Sequence, residues 1–474
     1  MTARSALVAL LLVAAPASAH EPNAPAKVDA LFAAWNKPTT PGLAVAIVRD
    51  GEVVYSKGFG SANLELAVPI TPRTSFNIGS TSKQFTAFAI LLLAKDGKLT
   101  LDDPVRKHVP EFPDFGKPLT VRHLLHPTRG LREDWSLLAM SGTRSEDVIR
   151  MPDILRLVSR QKELNFAPGS EYLYCNTGYD MLAEILKRAS GKSLRAFARD
   201  RIFEPAGMKA TEFCDDYRML VTNKATSYRP RLGGGFEHSL FATERAGPSN
   251  LFTTVEDMAR WVNHIDTLAK SDPELVAAMT RRGKLTDGTE LTYAAGLMVT
   301  QYRGVNVIHH GGTTAGYRAT LHRYPEHRLA VAIASNLSTA SPDVLAAGVV
   351  DVYLGDKLAP KPAPKEAAKK AADPKRPAPK ADELAALAGK YHSEELEVLY
   401  TATVRDGQLR IAHPKGECLL RATKTDEFQA FGGETVFETI AFTRNSAGAV
   451  TGFKISTSRA RNVRFAKVEI KPAG

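Results

Sequence analysis

Ser80 and Lys83 are the residues whose types and spacing best suit nucleophilic chemistry. A serine hydroxyl is a weak nucleophile until a neighbouring base takes its proton. Residues three apart lie on the same face of a helix, so the Lys83 amine can reach the Ser80 hydroxyl. A lysine acts as such a base only where burial or nearby cations favour its neutral form. The pair therefore predicts a serine nucleophile that is activated by a lysine.

The sequence after this pair predicts the burial that the lysine needs. An apolar run from 87 to 94 leaves the following helix without a polar face, so we expect that helix inside the protein. Its N-terminal dipole lies next to Ser80. A Ser-x-x-Lys match also arises by chance, and a serine at a helix start is often only a cap. The pair alone leaves both interpretations open.

A second chemical landmark is Tyr174-x-Asn176, on a loop that enters a predicted helix. Apolar residues recur at helical spacing as far as Ala189, and Gly191 follows the predicted helix end. A tyrosine near a lysine ammonium can have a lowered phenol pKa and act as a general base. A neighbouring asparagine can orient the lysine and a substrate amide. Taken alone, the segment is better interpreted as a loop with a packed tyrosine.

The third landmark is a strand that runs into glycines, His309-His310-Gly311-Gly312-Thr313. Glycines let a substrate backbone approach a strand edge, and a backbone N–H after them can donate to a developing oxyanion. Histidine pairs that occur alone are more often metal ligands or packing residues than catalysts. No third ligand is evident in this segment, so we predict neither a metal nor another cofactor.

Taken in order, these three motifs resemble those of the serine β-lactamase and penicillin-recognising superfamily. The resemblance is to the branch with class C β-lactamases, D-alanyl-D-alanine carboxypeptidases, D-aminopeptidases and esterases, and it covers roughly residues 41 to 354. Three motifs in order are far more specific than one. The resemblance implies that Ser80 is the acylating nucleophile. It also implies Lys83 and Tyr174 as proton-transfer partners and Asn176 as the residue that orients the substrate.

The third motif of the family usually begins seven residues before the aromatic residue of a Gly-aromatic pair. Counting back from Tyr317 selects His310-Gly311-Gly312, and the alternative His309-His310-Gly311 ranks second. A histidine in place of the usual lysine weakens recognition of a substrate carboxylate, because histidine is largely neutral above its pKa. We therefore do not expect an efficient β-lactamase.

The resemblance also implies which groups contact the substrate. His310, Gly312 and Thr313 would line the substrate site, and the backbone N–H groups of Ser80 and Thr313 would donate to the oxyanion. One loop departs from the family, because its usual His-Thr-Ser-Gly is replaced by Pro127-Thr128-Arg129-Gly130. The usual contacts of that loop are therefore not carried over to this chain.

Alternating apolar segments indicate the elements that position these motifs. Residues 42–60 predict a hairpin around Asp50-Gly51, residues 318–335 predict a second hairpin, and a helix follows from about Ser341 to Leu354. With the resemblance, they predict an α+β fold, that is, an α/β sandwich. Its antiparallel sheet is flanked by helices and carries a helical subdomain, and a C-terminal all-β, barrel-like domain follows.

We divide the chain into four parts: a signal peptide (1–19), a serine hydrolase-like domain (20–355), a Pro/Ala/Lys-rich linker (356–382) and a small antiparallel β domain (383–474). An early basic residue, an apolar core and small residues at the end predict cleavage after Ala19 and a periplasmic or secreted protein. The apolar core is too short for a membrane span. The β domain could shape specificity, bind a partner or only stabilise the protein.

Composition excludes several other classes of protein. The net charge is +11, but residues 357 to 380 alone supply +6, so a solvated linker explains it better than a nucleic-acid groove. Three cysteines exclude a disulfide framework, and none has zinc spacing. Cys175 lies between Tyr174 and Asn176 without a base of its own, so we interpret it as a packing residue rather than a nucleophile.

The function that we predict is an exported, metal-free serine hydrolase that works through an acyl-enzyme on Ser80. It would cleave ester or amide bonds of a small-molecule or short-peptide substrate. The alternatives are a D-alanyl-D-alanine carboxypeptidase or D-aminopeptidase acting on cell-wall peptides, and a non-catalytic envelope-binding homologue. Fold and motif fix the acyl chemistry, whereas pocket details choose the substrate. The sequence leaves the substrate and the oligomeric state open.

Overall fold

The structure, a computed structural model, describes residues 23–144, 146–240, 242–361 and 379–469. The predicted signal peptide (1–19) and most of the predicted linker (356–382) lie outside the described residues. A six-stranded antiparallel sheet flanked by helices is followed by a closed eight-stranded β-barrel, which confirms the predicted α+β class. Among the described residues, no helix combines the length and the apolar character that a membrane crossing requires.

The central sheet joins strands from the two ends of the sheet domain. The first predicted hairpin pairs antiparallel with the second, through Leu43–Arg49 and Leu329–Ser335. Both hairpins are present as predicted. In spatial order the strands are Met298–Tyr302, Val305–Thr314, Tyr317–Tyr324, Leu329–Ser335, Leu43–Arg49 and Glu52–Phe59.

Alternate side chains of the strand Leu43–Arg49 enter two separate cores. Its larger residues share one core with the helices Ala24–Phe32 and Pro342–Leu354. Its alanines share the other core with Lys83–Lys95, which we call the serine helix. Because side chains alternate across a strand and both faces are covered, the strand reads as a continuous apolar run.

The serine helix is buried, as its sequence predicts. Every residue from Lys83 to Leu93 is buried, because other helices surround this segment. The helices on this face of the sheet are Val105–His108, Val121–Leu125, Asp134–Met140, Met151–Ser159, Thr177–Ser190, Leu194–Ala198, Val255–Ser271 and Pro273–Thr280. Short strands lie before the serine helix, at Ser61–Asn63, Val68–Pro69 and Phe76–Asn77, and between the later helices, at Glu212–Phe213, Tyr228–Pro230, Phe236–His238 and Leu251–Thr253.

The C-terminal domain is a barrel of antiparallel strands that follow one another in sequence. The first strand pairs with the last, so the sheet closes on itself. After the helix Ala381–Leu387, its strands are Gly389–Ser393, Val398–Arg405, Gln408–His413, Gly416–Lys424, Glu427–Gly433, Thr439–Arg444, Val450–Ser456 and Val463–Val468. Six segments of the tail sequence alternate in the way that predicts strands, and all of them lie in or overlap these strands: 398–404, 408–411, 427–431, 436–442, 450–456 and 462–468. Gly389–Ser393 and Gly416–Lys424 are additional strands. Tyr391, Tyr400, Phe453 and Phe465 pack inside the barrel as an aromatic core.

Candidate active site

Ser80 lies in a tight turn at the mouth of the serine helix. The turn is a 3₁₀ helix over Gly79–Ser82, and Lys83 begins the α-helix directly after it. The side chain of Asn77 accepts a hydrogen bond from the Gly79 N–H at 3.0 Å. The Ser82 hydroxyl donates to the Gly79 carbonyl at 2.6 Å. These local bonds fix the turn, so the Ser80 hydroxyl points in a defined direction.

The Lys83 amine is buried and lies beside the Ser80 hydroxyl. Its Nζ is 3.0 Å from Ser80 Oγ, 2.7 Å from Asn176 Oδ1 and 2.7 Å from the Pro248 carbonyl oxygen. Burial lowers the pKa of Lys83 to about 7, although the charge of Glu133 opposes that shift. A large fraction of Lys83 is therefore neutral near pH 7, as a base for a serine requires.

Tyr174 stands over the same pair, but its phenol has the opposite protonation from the one that we expected. Its hydroxyl is buried and has no hydrogen-bond partner among the described residues. Burial raises the phenol pKa well above its ordinary value, and the nearby Ser80 hydroxyl opposes this only in part. The expectation of a lowered phenol pKa was wrong, because the desolvation of Tyr174 outweighs its neighbours. A protonated Tyr174 can donate a proton, whereas neutral Lys83 can accept one.

Asn176 is oriented by Glu133, a residue that the sequence analysis did not identify. The two carboxylate oxygens of Glu133 accept from the Asn176 backbone N–H at 2.7 Å and from its side-chain amide at 2.6 Å. The Asn176 amide oxygen therefore faces Lys83. Burial raises the pKa of Glu133 to about 7, and the charge of Asp134 adds to the shift. In sequence, Glu133 lies in an Arg-Glu-Asp run that is indistinguishable from a surface charge cluster.

The strand Val305–Thr314 meets the serine turn through backbone atoms. A Cβ added to Gly312 would lie 1.9 Å from the Ile78 carbonyl oxygen, and one added to Gly79 would lie 2.6 Å from the Thr313 nitrogen. Only glycine leaves room for this approach. The predicted oxyanion donors, the N–H groups of Ser80 and Thr313, thus lie on two segments in direct contact. Their role stays a prediction.

His310 lies on the same side of the strand as Tyr174 and is neutral. Its Nδ1–H donates to the Gly311 carbonyl at 2.6 Å, and its Nε2 lies 3.1 Å from the Tyr293 hydroxyl. Burial lowers the pKa of His310 to about 3, and the charge of Lys83 adds to the shift. The ring of His310 lies 6.0 Å from the Tyr174 ring. The structure therefore brings His310 into the site.

His309 lies on the opposite face of the strand. Its Nε2 is 3.0 Å from the Thr300 hydroxyl, and its ring contacts His322. The segment itself holds no third ligand, but the fold places potential ligand atoms of His309, His322 and Asp343 within 4.8 Å of one another. A hydrogen bond of 2.9 Å joins His322 to Asp343. This cluster is separated from Ser80 by the sheet.

A cavity of about 420 Å³ opens above the serine turn. Ser80, Trp135, Asn176, Ser249 and Thr313 are among its lining residues. Lys83 and the Tyr174 hydroxyl lie beneath this surface, where water is excluded. The site is thus an open pocket with a half-buried nucleophile at its floor, which suits a small molecule or the end of a peptide.

Comparison with known proteins assigns this chain to a protein family. The sequence model of the Beta-lactamase family matches residues 28–354, which is well over half of the chain. The chain belongs to the Beta-lactamase family. The matched region contains all seven predicted site residues: Ser80, Lys83, Tyr174, Asn176, His310, Gly312 and Thr313.

Individual relatives match this Beta-lactamase family member in sequence and in fold. A D-aminopeptidase from Brucella anthropi is 30% identical over 315 residues, which are 66% of this chain but only 59% of the relative. The octameric penicillin-binding protein homologue from Pyrococcus abyssi has a TM-score of 0.61 at 22% identity, over 93% of this chain and 99% of that one. SurE has a TM-score of 0.58 at 24% identity, over 94% of this chain and 99% of that one. Both structural similarities extend over the C-terminal barrel as well as the sheet domain.

The loop in which this family member departs from the usual motif has a contact of its own. The Arg129 guanidinium is buried and donates to the Leu124 carbonyl at 2.7 Å and to the Cys175 carbonyl. Arg129 thereby holds the backbone between Tyr174 and Asn176. Burial raises the pKa of the Cys175 thiol to about 12, so Cys175 is a packing residue, as predicted, and not a nucleophile.

The barrel reaches the site through the loop 457–462, which we call the barrel loop. The backbone carbonyl of Arg459 accepts hydrogen bonds from the Glu133 N–H at 3.1 Å and from the Asn165 side chain at 2.9 Å. The Arg459 guanidinium lies 5.2 Å from the centre of the Tyr174 ring. The barrel loop is therefore part of the site.

Proposed function

We propose that this protein is an exported serine hydrolase that cleaves ester or amide bonds of small acyl or peptide substrates through an acyl-enzyme on Ser80. The observation that carries the proposal is the buried Lys83 amine, 3.0 Å from Ser80 Oγ. Its pKa is lowered to about 7. A buried, partly neutral amine at this distance is an activating base for a serine.

In the proposed reaction, Lys83 first accepts a proton and later returns it, and Tyr174 first donates a proton and later regains one. Lys83 takes the Ser80 proton while Oγ attacks the carbonyl carbon of the substrate. The N–H groups of Ser80 and Thr313 stabilise the resulting oxyanion. When the carbon–leaving-group bond breaks, a proton passes from Tyr174 to the leaving group and from Lys83 back to Tyr174. Water then attacks the acyl-enzyme along the same proton path, which frees the acid and restores Ser80.

The substrates that we favour contain D-amino acids. The D-aminopeptidase from Brucella anthropi supports this choice, since it is 30% identical over 315 residues of this chain. The neutral His310 argues against a substrate that needs a permanent cation at the third motif. D-Aminopeptidase, carboxypeptidase and esterase activities share this machinery, and the pocket decides among them. A non-catalytic homologue remains the alternative if turnover is absent.

Steady-state hydrolysis tests the proposal and its substrate class together. We would measure p-nitrophenyl acetate and the p-nitroanilides of D-alanine and L-alanine with wild type and Ser80→Ala. The expected result is ester turnover that disappears in Ser80→Ala, with the D-anilide preferred over the L-anilide. A folded wild type without turnover of any substrate would contradict the hydrolase, whereas a preference for the L-anilide would contradict only the substrate class.

Export is a separate part of the proposal and rests on the sequence before His20. The full chain, expressed in a Gram-negative host, should appear in the periplasm or the medium with His20 as its first residue. Fractionation and intact mass measure both. Protein that stays in the cytoplasm and retains its first 19 residues would contradict export.

A further inference from the structure

The third motif of this chain supplies no positive charge to an anionic substrate. His310 is buried and neutral, and both ring nitrogens already have hydrogen-bond partners in Gly311 and Tyr293. Lys83 is buried below the cavity floor and bonded to Ser80 and Asn176. Any cation that meets a charged substrate must therefore come from another part of the site.

Arg459 of the barrel loop is such a cation. Its side chain is exposed and lies 5.2 Å from the centre of the Tyr174 ring, in a cation–π contact. Among the described residues, no carboxylate forms an ion pair with its guanidinium. The neighbouring Arg461, by contrast, pairs with Glu171 at 2.9 Å. Arg459 thus has hydrogen-bond donors available for a ligand.

The base of this side chain is held firmly although its tip is exposed. The Arg459 carbonyl accepts from Glu133 and Asn165, and its own N–H donates to the Thr457 hydroxyl at 3.2 Å. Arg132, which is fully buried, donates at 2.9 Å to the carbonyl of Arg461, two residues further along the loop. A guanidinium on a fixed backbone loses less freedom when it binds a ligand.

We infer that Arg459 binds a carboxylate on the leaving group of the substrate. The inference rests on the proposed function, in which Tyr174 delivers a proton to the leaving group. The Arg459 guanidinium lies over the ring of Tyr174, the residue that delivers this proton, although Arg459 is not among the residues that line the cavity. Arginine presents two parallel N–H donors that match a carboxylate. The preferred substrates are therefore those whose leaving group, an amine or an alcohol, carries its own carboxylate, as a free C-terminal amino acid does.

Two matched phenyl esters test this site without knowledge of the natural substrate. In 3-acetoxybenzoate the leaving group carries a carboxylate, and in 3-acetoxybenzamide a neutral amide takes its place. The quantity measured is the ratio of kcat/KM for the acid to kcat/KM for the amide. D-Alanyl-D-alanine and D-alanyl-D-alaninamide form a second pair that repeats the comparison on a peptide.

Wild type should prefer the acid, and Arg459→Gln should lower the ratio by about 10-fold or more, since a charge-assisted hydrogen bond is lost. Arg459→Lys should retain part of the preference, because the positive charge remains while the two parallel N–H donors are lost. Arg464→Gln is the control, since Arg464 is an exposed barrel residue paired with Glu163, and it should leave the ratio unchanged. Added salt should also reduce the wild-type ratio.

The possible failures are distinguishable. If both esters turn over but the ratio is the same in wild type and Arg459→Gln, the carboxylate site is wrong while the serine hydrolase stands. If folded wild type hydrolyses neither ester, the proposed function fails and the inference fails with it. A ratio that falls equally in Arg464→Gln would show a general effect of barrel charge and would also overturn the inference.

Discussion

Two walls of the candidate active site are held by different kinds of contact. The strand wall (Val305–Thr314) touches the serine turn through backbone atoms, and its one titratable group in the site, His310, is neutral. The loop wall (residues 171–176) is held by buried charged groups instead. Glu133 binds both amides of Asn176, and Arg129 binds the Cys175 carbonyl.

This difference separates the control of position from the control of charge. Backbone contact on the strand wall leaves no room for an added atom, so it fixes where the predicted oxyanion donors lie. The charges behind the loop wall set the proton affinity of Lys83, since Glu133 and Asp180 both raise its pKa against the effect of burial. We therefore expect substitutions on the strand wall to act through geometry and those on the loop wall to act through pH dependence.

The largest effect should come from the lysine that lies between the two walls. Lys83→Met removes the base but keeps an apolar side chain of similar length. We expect kcat/KM for a neutral ester to fall between about 100- and 10,000-fold, the range for a general base. Lys95→Met, at the exposed end of the same helix, should leave the rate near wild type. A fall of less than tenfold in Lys83→Met would remove Lys83 from the mechanism.

Stability should be most sensitive where the barrel supports the loop wall. Arg132 is fully buried and forms an ion pair with the buried Glu395 of the barrel domain. Arg132→Ala leaves that carboxylate buried without its partner, so the free energy of unfolding should fall by about 3–5 kcal/mol. Denaturant unfolding measures the change.

Two further variants make this prediction specific to the buried pair. Arg132→Met with Glu395→Leu should recover most of the lost stability, because an apolar pair avoids the unpaired charge. Arg464→Ala breaks an exposed pair and should cost less than about 1 kcal/mol. Equal losses in Arg132→Ala and Arg464→Ala would mean that burial of the pair has no consequence.

On the strand wall, a single methyl group should be enough to damage the site. Gly312→Ala would place its Cβ 1.9 Å from the Ile78 carbonyl, so the turn or the strand must move. A displacement of about 1 Å can cost about 100-fold in rate. Gly311→Ala is the matched control, because its Cβ would meet only the exposed Asp343 carboxylate at 3.0 Å. Similar rates for the two variants would contradict a backbone contact at Gly312.

On the loop wall, the smaller effect should appear as a shift in pH dependence. The kcat/KM of wild type for a neutral ester should rise with pH through an apparent pKa near 7, because the unprotonated Lys83 is the base. That pKa belongs to the coupled pair of Lys83 and Glu133. Glu133→Gln removes the negative charge that raises the Lys83 pKa, so the rise of kcat/KM with pH, which we call the rising limb, should move to lower pH.

The same substitution should also lower the maximal rate by about 10-fold, because one hydrogen bond to Asn176 is lost. Glu184→Gln is the control, since Glu184 pairs with Arg188 at 2.7 Å rather than with Asn176. Glu184→Gln should change neither the pH at which kcat/KM rises nor the maximal rate. A limb that moves to higher pH in Glu133→Gln would show that the charge of Glu133 does not act on Lys83.

Features that depend on local sequence were predicted well. Spacing alone brings Lys83 to Ser80, an apolar run indicates that the serine helix is buried, and alternation locates the two hairpins and most barrel strands. Each of these depends on residues close together in the chain. The two barrel strands that were missed, Gly389–Ser393 and Gly416–Lys424, hold glycine and polar residues that mask their alternation.

Features that depend on distant contacts could not be predicted. Glu133 is 43 residues from Asn176, and Arg459 comes from another domain. Neither residue differs in type or pattern from an ordinary surface charge. The Tyr174 pKa was predicted in the wrong direction for a similar reason: the sequence indicates a lysine nearby but not how completely the hydroxyl is desolvated.

The most direct test of the central claim, that Lys83 activates Ser80, is intact-mass analysis after reaction with a fluorophosphonate. Wild type should gain a single adduct, at a rate that rises with pH through about 7. Ser80→Ala should gain none. An adduct on folded Ser80→Ala, or no adduct on folded wild type, would contradict the account.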